Sequence, residues 1–402
     1  MRLAVVIENR FKRTPDGRIW DGLFPYAFWC RYLEVFDEVL VISRVGDTTQ
    51  PQDEAARADG AGVSFAPLPY YHGPRGYVRV LPRLRRALAQ GLEASDAVLI
   101  RLPSTLSGAA LALLGRQHHP YGVEVVGDPG GVFAPGAVDH WLRPFFRVWF
   151  VRKQRQACAR ACTAAYVTSA ALQRGYPGCI QPIGCEREAT LATHYSDVRL
   201  DPSLFAAAPW LAARSPPGLR LMTVGSLAQM YKAPDVLIDA VARCVAAGLD
   251  LSLTFVGDGL YRRELEGRAA RVAPGRVRFL GELPRREVFR ELDRSDLFVL
   301  PSRTEGLPRV VIEAMARGLP CIGSAVGGIP ELLSSDALFA SGSVEALANK
   351  ITEIVRAPER MKQMASRNLA VARDYAEDRL GERRRAMYRH LRGVTADWLR
   401  RR

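Results

Sequence analysis

The chain has 402 residues, 48% of them hydrophobic and 24% charged, with a formal net charge of +14. This ordinary globular composition, long enough for two domains, excludes a disulfide miniprotein, a coiled coil and a disordered chain. No stretch approaches 18 uninterrupted apolar residues, and the opening run turns acidic at Glu8; neither a bilayer span nor a signal peptide is expected, and the expected location is cytoplasmic.

In chain order, apolar runs at 3–7, 39–42, 97–100, 123–126 and 165–168 read as strands. A second series follows at 219–224, 251–256, 277–280, 297–300 and 320–322, with helical patterns such as 233–247 and 308–317 between. Buried strands alternating with helices predict α/β architecture with parallel sheets covered on both faces. Two series predict two doubly wound domains, 1–205 and 218–375. A linker rich in alanine and proline occupies 206–217, and a basic helix at 376–402 has Tyr375, Leu380, Met387, Tyr388, Leu391 and Trp398 as apolar contacts.

Several stretches of the first domain invite a function. Arg101 ends a strand and is read either as a phosphate contact or as a surface arginine. His118 and His119 precede Pro120 and are expected in solvent. Asp128 follows the strand at 123–126 and is a candidate base or acceptor-positioning group, with a helix cap as the alternative. Residues 141–155 mix Trp141, Phe145, Phe146, Trp149 and Phe150 with Arg143, Arg147, Arg152, Lys153 and Arg155. Interfacial helices combine aromatic and basic residues in this way, so a peripheral contact with an anionic membrane competes with an internal helix.

The second domain carries a denser pattern. Its first strand runs into Gly225-Ser226-Leu227-Ala228-Gln229-Met230-Tyr231-Lys232 before a helix, and Lys232 is one of only five lysines. An ammonium beside helix N–H groups suits a diphosphate. The second strand closes on Gly257-Asp258-Gly259. The fourth strand ends in Pro301-Ser302-Arg303-Thr304-Glu305-Gly306-Leu307-Pro308, then a helix containing Arg309 and Glu313. Pro308 suits a first helical position. The fifth strand leads to Gly327-Gly328, whose backbone approaches a ligand closely. Open α/β sheets bind ligands beyond the carboxyl ends of their strands.

Together these motifs (Val-Gly-x-Leu…Tyr-Lys, Val-Gly-Asp-Gly, Pro-Ser-x-x-Glu-Gly-x-Pro-x-x-x-x-Glu-Ala-Met-Ala-x-Gly-x-Pro and Gly-Gly-x-x-Glu) resemble the retaining family-4 glycosyltransferases of the GT-B fold. The likeness is strong over 219–340. It is weaker in the first domain, where 127–129 and 166–177 look like members that build bacterial surface polysaccharides. The resemblance implies two Rossmann-like domains facing across a cleft and transfer of a sugar from a nucleotide-diphosphate sugar, UDP- or GDP-linked, with retention. It implies Glu305 near the donor sugar, Glu313 on the ribose hydroxyls and Lys232 on the diphosphate. The amides of Gly306, Leu307, Pro308 and Arg309 would border the sugar and distal phosphate, with Ser226, Asp258, Gly281, Gly327 and Gly328 completing the donor site. The acceptor is expected to be a lipid-linked or other glycan.

Two departures stand out. Ser226 occupies a position where the family usually has a phosphate-clamping arginine, leaving Arg303 and Arg309 as substitutes. The first strand is followed by Glu8-Asn9-Arg10-Phe11-Lys12-Arg13 where the family commonly has a glycine pair. No Asp-x-Asp occurs, and the seven cysteines lack zinc spacing, so no metal or other cofactor is expected. A sugar-nucleotide epimerase of the same architecture and a basic nucleic-acid-binding protein are the alternatives. The positive charge is spread along the chain, apart from nine basic against four acidic residues in the last 27. That spread suits phosphate-bearing small molecules or a membrane better than nucleic acid.

Overall fold

The structure, a computed structural model, describes residues 1–50, 52–133, 142–210 and 218–402, with residue 74 described in its backbone alone. The described chain divides into two compact units. The first comprises Met1–Gly127, Trp149–Tyr195 and Gly381–Arg402, and the second comprises Asp128–Val148 and Ser196–Leu380.

The first unit is built on strands β1 (Arg2–Arg13), β2 (Ile19–Trp20), β3 (Glu38–Asp47), β4 (Val63–Leu68), β5 (Ala97–Leu102), β6 (Gly122–Val125), β7 (Thr163–Tyr166) and β8 (Leu191–His194). Their order is β4-β3-β1-β5-β6-β7-β8, all parallel, with β2 added antiparallel to β1. Leu3, Ala4, Val5 and Val6 are fully buried, as expected for a central strand. Helices α1 (Tyr26–Leu33), α2 (Gly73–Glu93) and α3 (Ser107–Arg116) belong to this unit. So does α6 (Ala171–Gly175), after the short α4 (Pro129–Val132) and the longer α5 (Arg143–Ala159). The strand expected at 3–7 continues to Arg13. After an irregularity between Val6 and Arg10 it pairs again with β3 and then turns into β2.

The second unit contains β9 (Leu219–Val224), β10 (Leu251–Val256), β11 (Val277–Phe279), β12 (Leu297–Leu300), β13 (Cys321–Ser324) and β14 (Leu338–Phe339), parallel and ordered β11-β10-β9-β12-β13-β14. The helices are α7 (Pro234–Ala246), α8 (Arg262–Val272), α9 (Arg285–Asp293), α10 (Arg309–Ala316), α11 (Ile329–Leu332), α12 (Val344–Val355) and α13 (Pro358–Ala372). Strand order reverses between β9 and β12, the switch point where a doubly wound sheet opens a crevice.

The last helix, α14 (Glu377–Arg401), returns to the first unit from Gly381 onward. Leu380, Met387, Tyr388 and Leu391 are fully buried. Tyr388, Tyr195 and Tyr32 donate their hydroxyls to Glu124 of β6 at 3.0, 2.7 and 3.0 Å. Arg101, opposite Glu124 in the β5–β6 register, pairs with the same carboxylate, and Arg31 stands 3.9 Å from it. Glu124 is 2% exposed and Arg101 4%, so Arg101 is neither a surface residue nor a phosphate contact; it neutralises a buried carboxylate. His119 is likewise buried, against the expectation of solvent exposure. Its ring lies 4.3 Å from that of Trp398, and desolvation lowers its pKa.

Candidate active site at the carboxyl edge of the second sheet

Five loops leave the carboxyl ends of β9 to β13, and backbone hydrogen bonds stitch them into one rim. Leu227 N–H donates to Asp258 O at 2.9 Å, and Gly257 N–H to Gly281 O at 2.8 Å. Arg303 N–H donates to Tyr231 O at 2.7 Å, and Gly328 N–H to Gly306 O at 2.7 Å. Two glycines make the close approaches possible. At φ +137°, a Cβ on Gly257 would collide with Gly225 O; at φ +54°, one on Gly327 would collide with Glu305 O.

The rim brings Lys232 and Glu305 together at the switch point. A single 3-10 turn, Met230–Lys232, precedes Ala233, which is left-handed at φ +51°, and Pro234 then starts α7. Lys232 Nζ lies 2.5 Å from Glu305 Oε1, which also accepts from Ser302 Oγ at 2.6 Å. The side chains are 17% and 9% exposed, so the pair is largely shielded from solvent. Pro308 is the N-cap and α10 begins at Arg309, one residue later than expected. No side chain caps α10 and its first turn holds no acid, so its opening amides are available to an anion.

Glu313, one turn into α10, accepts from Arg285 Nε and Nη2 at 3.3 and 3.2 Å. Burial raises its pKa while Arg285 and Arg309 oppose the rise. The charged carboxylate is thus costly to the fold, and Glu313→Gln should leave the melting temperature unchanged or slightly higher. If Glu313 holds ribose hydroxyls, the same variant should raise the apparent donor constant. A loss of stability with unaltered donor binding would make Glu313 structural.

Arg303 is committed elsewhere. It makes two hydrogen bonds to Asp235 at 3.1 and 2.9 Å and a third to Met230 O at 2.6 Å, anchoring the loop after β9. Arg309 is exposed and makes no ion pair among the described residues. Ser226, exposed, accepts from Ala228 N–H at 3.2 Å. Asp258 holds Arg262 at 2.7 Å and Gly259 N–H at 2.7 Å, and the Arg262 hydrogen bond keeps its carboxyl below the usual range. Asp128 caps α4, its two oxygens accepting from Gly130 and Gly131 N–H at 2.7 and 3.0 Å. Gly131 packs so closely on Thr304, beside Glu305, that a Cβ would strike the threonine hydroxyl. Sequence reasoning assigned no role to Ser302 or Arg285. Ser302 stood inside the quoted motif, and Arg285 opens the helix after the Gly281 loop.

Two doubly wound units, the second with lysine, carboxylates and open amides on its carboxyl rim, make up the GT-B fold. Residues 218–357 match the family profile described as "Glycosyl transferases group 1". They form a glycosyltransferase group 1 domain, and the chain is a glycosyltransferase. It is 26% identical over 376 residues to Protein CapJ of Staphylococcus aureus, covering 92% of this chain and 89% of that protein. Over 162 residues it is 34% identical to a GDP-mannose-dependent monoacylated alpha-(1-6)-phosphatidylinositol monomannoside mannosyltransferase of Corynebacterium glutamicum, covering 38% of this chain and 42% of the relative. The Anabaena protein HepE, solved with UDP and glucose, superposes with a TM-score of 0.65 at 18% identity, covering 95% of this chain and 97% of that one. Nothing in these likenesses supports the epimerase reading. Among the described residues no helix is long and apolar enough to cross a membrane.

Proposed function

We propose that the enzyme transfers a hexose from a nucleotide-diphosphate sugar to a lipid-linked glycan acceptor, with retention at the anomeric carbon. Lys232 and Arg309 neutralise the diphosphate, Arg309 standing in for the arginine absent at Ser226. The amides at Gly306, Leu307 and the start of α10 receive the distal phosphate and sugar. Glu313 holds the ribose hydroxyls, and Glu305 faces the positive charge that develops on the sugar. Gly281 and Asp258 border the base, and Gly327 and Gly328 close the phosphate side. Asp128 positions the acceptor loop through its cap on α4.

What carries the reading is the Lys232–Glu305 pair at the switch point, a cation for the leaving group beside a carboxylate for the sugar. UDP- and GDP-linked donors fit best, since one relative's name specifies GDP-mannose and one neighbour was solved with UDP. The first of these names also specifies a phosphatidylinositol glycolipid. An acceptor at a membrane surface agrees with α5, where Phe145, Val148 and Trp149 are exposed among Arg147 and Arg152. Trp141, which opens the stretch 141–155, lies outside the described residues.

A thermal-shift screen against UDP-, GDP-, ADP- and TDP-sugars tests the donor: one class should raise the melting temperature by mass action, and a null result with all four would refute the assignment. Because lysine, arginine and amides supply the positive charge, activity should survive EDTA. Complete loss restored by magnesium or manganese would contradict this mechanism.

A further inference from the structure

A groove of about 520 Å3 runs through the first unit between α2, α3 and α5. Its cations are Arg85 from α2, Arg116 from α3 and Lys153 from α5, and no acid lines it. Among the described residues none of the three makes an ion pair. Holding three like charges around one groove is unfavourable unless an anion enters. Lys153 reaches over the floor, its stem about 4 Å from where a Cβ on Gly108 would stand. The neighbouring carboxylate is already neutralised: Glu8 pairs with Arg44 and accepts from Thr105 N–H at 2.9 Å. Thr105 lies beyond the carboxyl end of β5 and lines the groove, so the groove meets the sheet edge where such folds receive ligands.

Tyr77 and Trp149 add aromatic walls beside the aliphatic Ala109, Ala112 and Leu113. The helices that form them also leave large apolar side chains in solvent: Val78 on α2 is 66% exposed and Val148 on α5 is 69% exposed. From Gly73 to Leu92, α2 carries five arginines and no acid. A soluble phosphate would need only the cations. Cations with exposed apolar groups beside them match a phosphate fixed to a hydrocarbon chain.

We propose that this groove seats the phosphate headgroup of an amphiphilic acceptor presented by a bilayer, with Arg85, Arg116 and Lys153 as its ligands. The proposal rests on the membrane-acceptor reading above and adds a discrete site to it. It is tested by flotation with phosphatidylcholine vesicles with and without phosphatidic acid, using the full chain. Wild type should bind the acidic vesicles, and Arg116→Glu with Lys153→Glu should weaken binding by about tenfold or more. Ala112→Trp, at an exposed position on the groove wall, fills the space without changing charge and should weaken it comparably. A nucleotide-induced rise in melting temperature, read in every variant, shows that each is folded. Wild-type binding by Ala112→Trp would mean diffuse surface charge, overturning the groove but not the membrane reading. No vesicle binding by wild type would overturn both. Release from vesicles by inorganic pyrophosphate at concentrations matching the lipid phosphate would assign the groove to a free anion and overturn the lipid ligand.

Discussion

Glu305→Gln is expected to lower turnover about a hundredfold or more, some 2.7 kcal/mol of barrier, while nucleotide-diphosphate affinity stays level or rises. The carboxylate has two duties in the resting site. It holds Lys232 at 2.5 Å, and in the proposed reaction it opposes positive charge on the sugar. Glutamine retains the size and an acceptor for Ser302 Oγ, but it no longer competes with the donor for the lysine ammonium. Lys232→Ala provides the contrast: without the ammonium, donor binding and turnover should fall together. Isothermal titration with nucleoside diphosphate and steady-state rates with the identified donor separate the two. Near-wild-type turnover in Glu305→Gln would remove the residue from the chemistry. Lost nucleotide binding with intact turnover at saturation would exchange its role with that of Glu313.

The largest stability effect should come from Glu124→Ala. The buried carboxylate accepts from three tyrosine hydroxyls and faces Arg101 and Arg31, which are 4% and 7% exposed. Its removal strands buried positive charge, a change that costs about 3–5 kcal/mol in comparable settings. Total stabilities are only about 5–15 kcal/mol, so the first unit should unfold at much lower urea or temperature. Circular dichroism across a urea titration measures the shift; a midpoint like that of wild type would show that the arginines find other compensation. The surrounding tyrosines add a pH signature. Burial and Glu124 raise the pKa of Tyr195 and Tyr388 well above the usual value, so the folded state favours their neutral forms. Their contribution is complete below about pH 10 and declines as pH rises past the unfolded tyrosine pKa.

Much of the catalytic half was legible because its chemistry lies where local signals are strongest. Short buried runs at 219–224, 251–256 and 297–300 coincide with β9, β10 and β12. Glycine, lysine and glutamate between them mark the loops. What escaped was set by partners distant in sequence. Arg101 in isolation looks like an accessible cation; only the β5–β6 register puts Glu124 beside it. Arg303 looked able to replace a phosphate clamp until Asp235, 68 positions away, proved to hold it. Glu8–Arg13 lies beyond the apolar run at 3–7, yet the adjoining β3 and β2 extend it as strand. β4 was missed because Val-Ser-Phe-Ala-Pro-Leu is buried only at its ends and contains a serine and a proline, unlike the continuous apolar runs of the central strands.

The placement of α14 reverses the usual order of assembly during synthesis. Tyr388 meets Glu124 across 264 positions, so the ribosome releases the last supporting hydroxyl only after the whole second sheet has been made. By then residues 196–380 have emerged and are able to close around their own core, whereas the first unit still lacks the helix face of Met387, Tyr388 and Leu391 and one of the three hydroxyls on Glu124. Domains made first generally fold first on the ribosome. Here the part made first gains its closing helix only after residues 196–380 have been made.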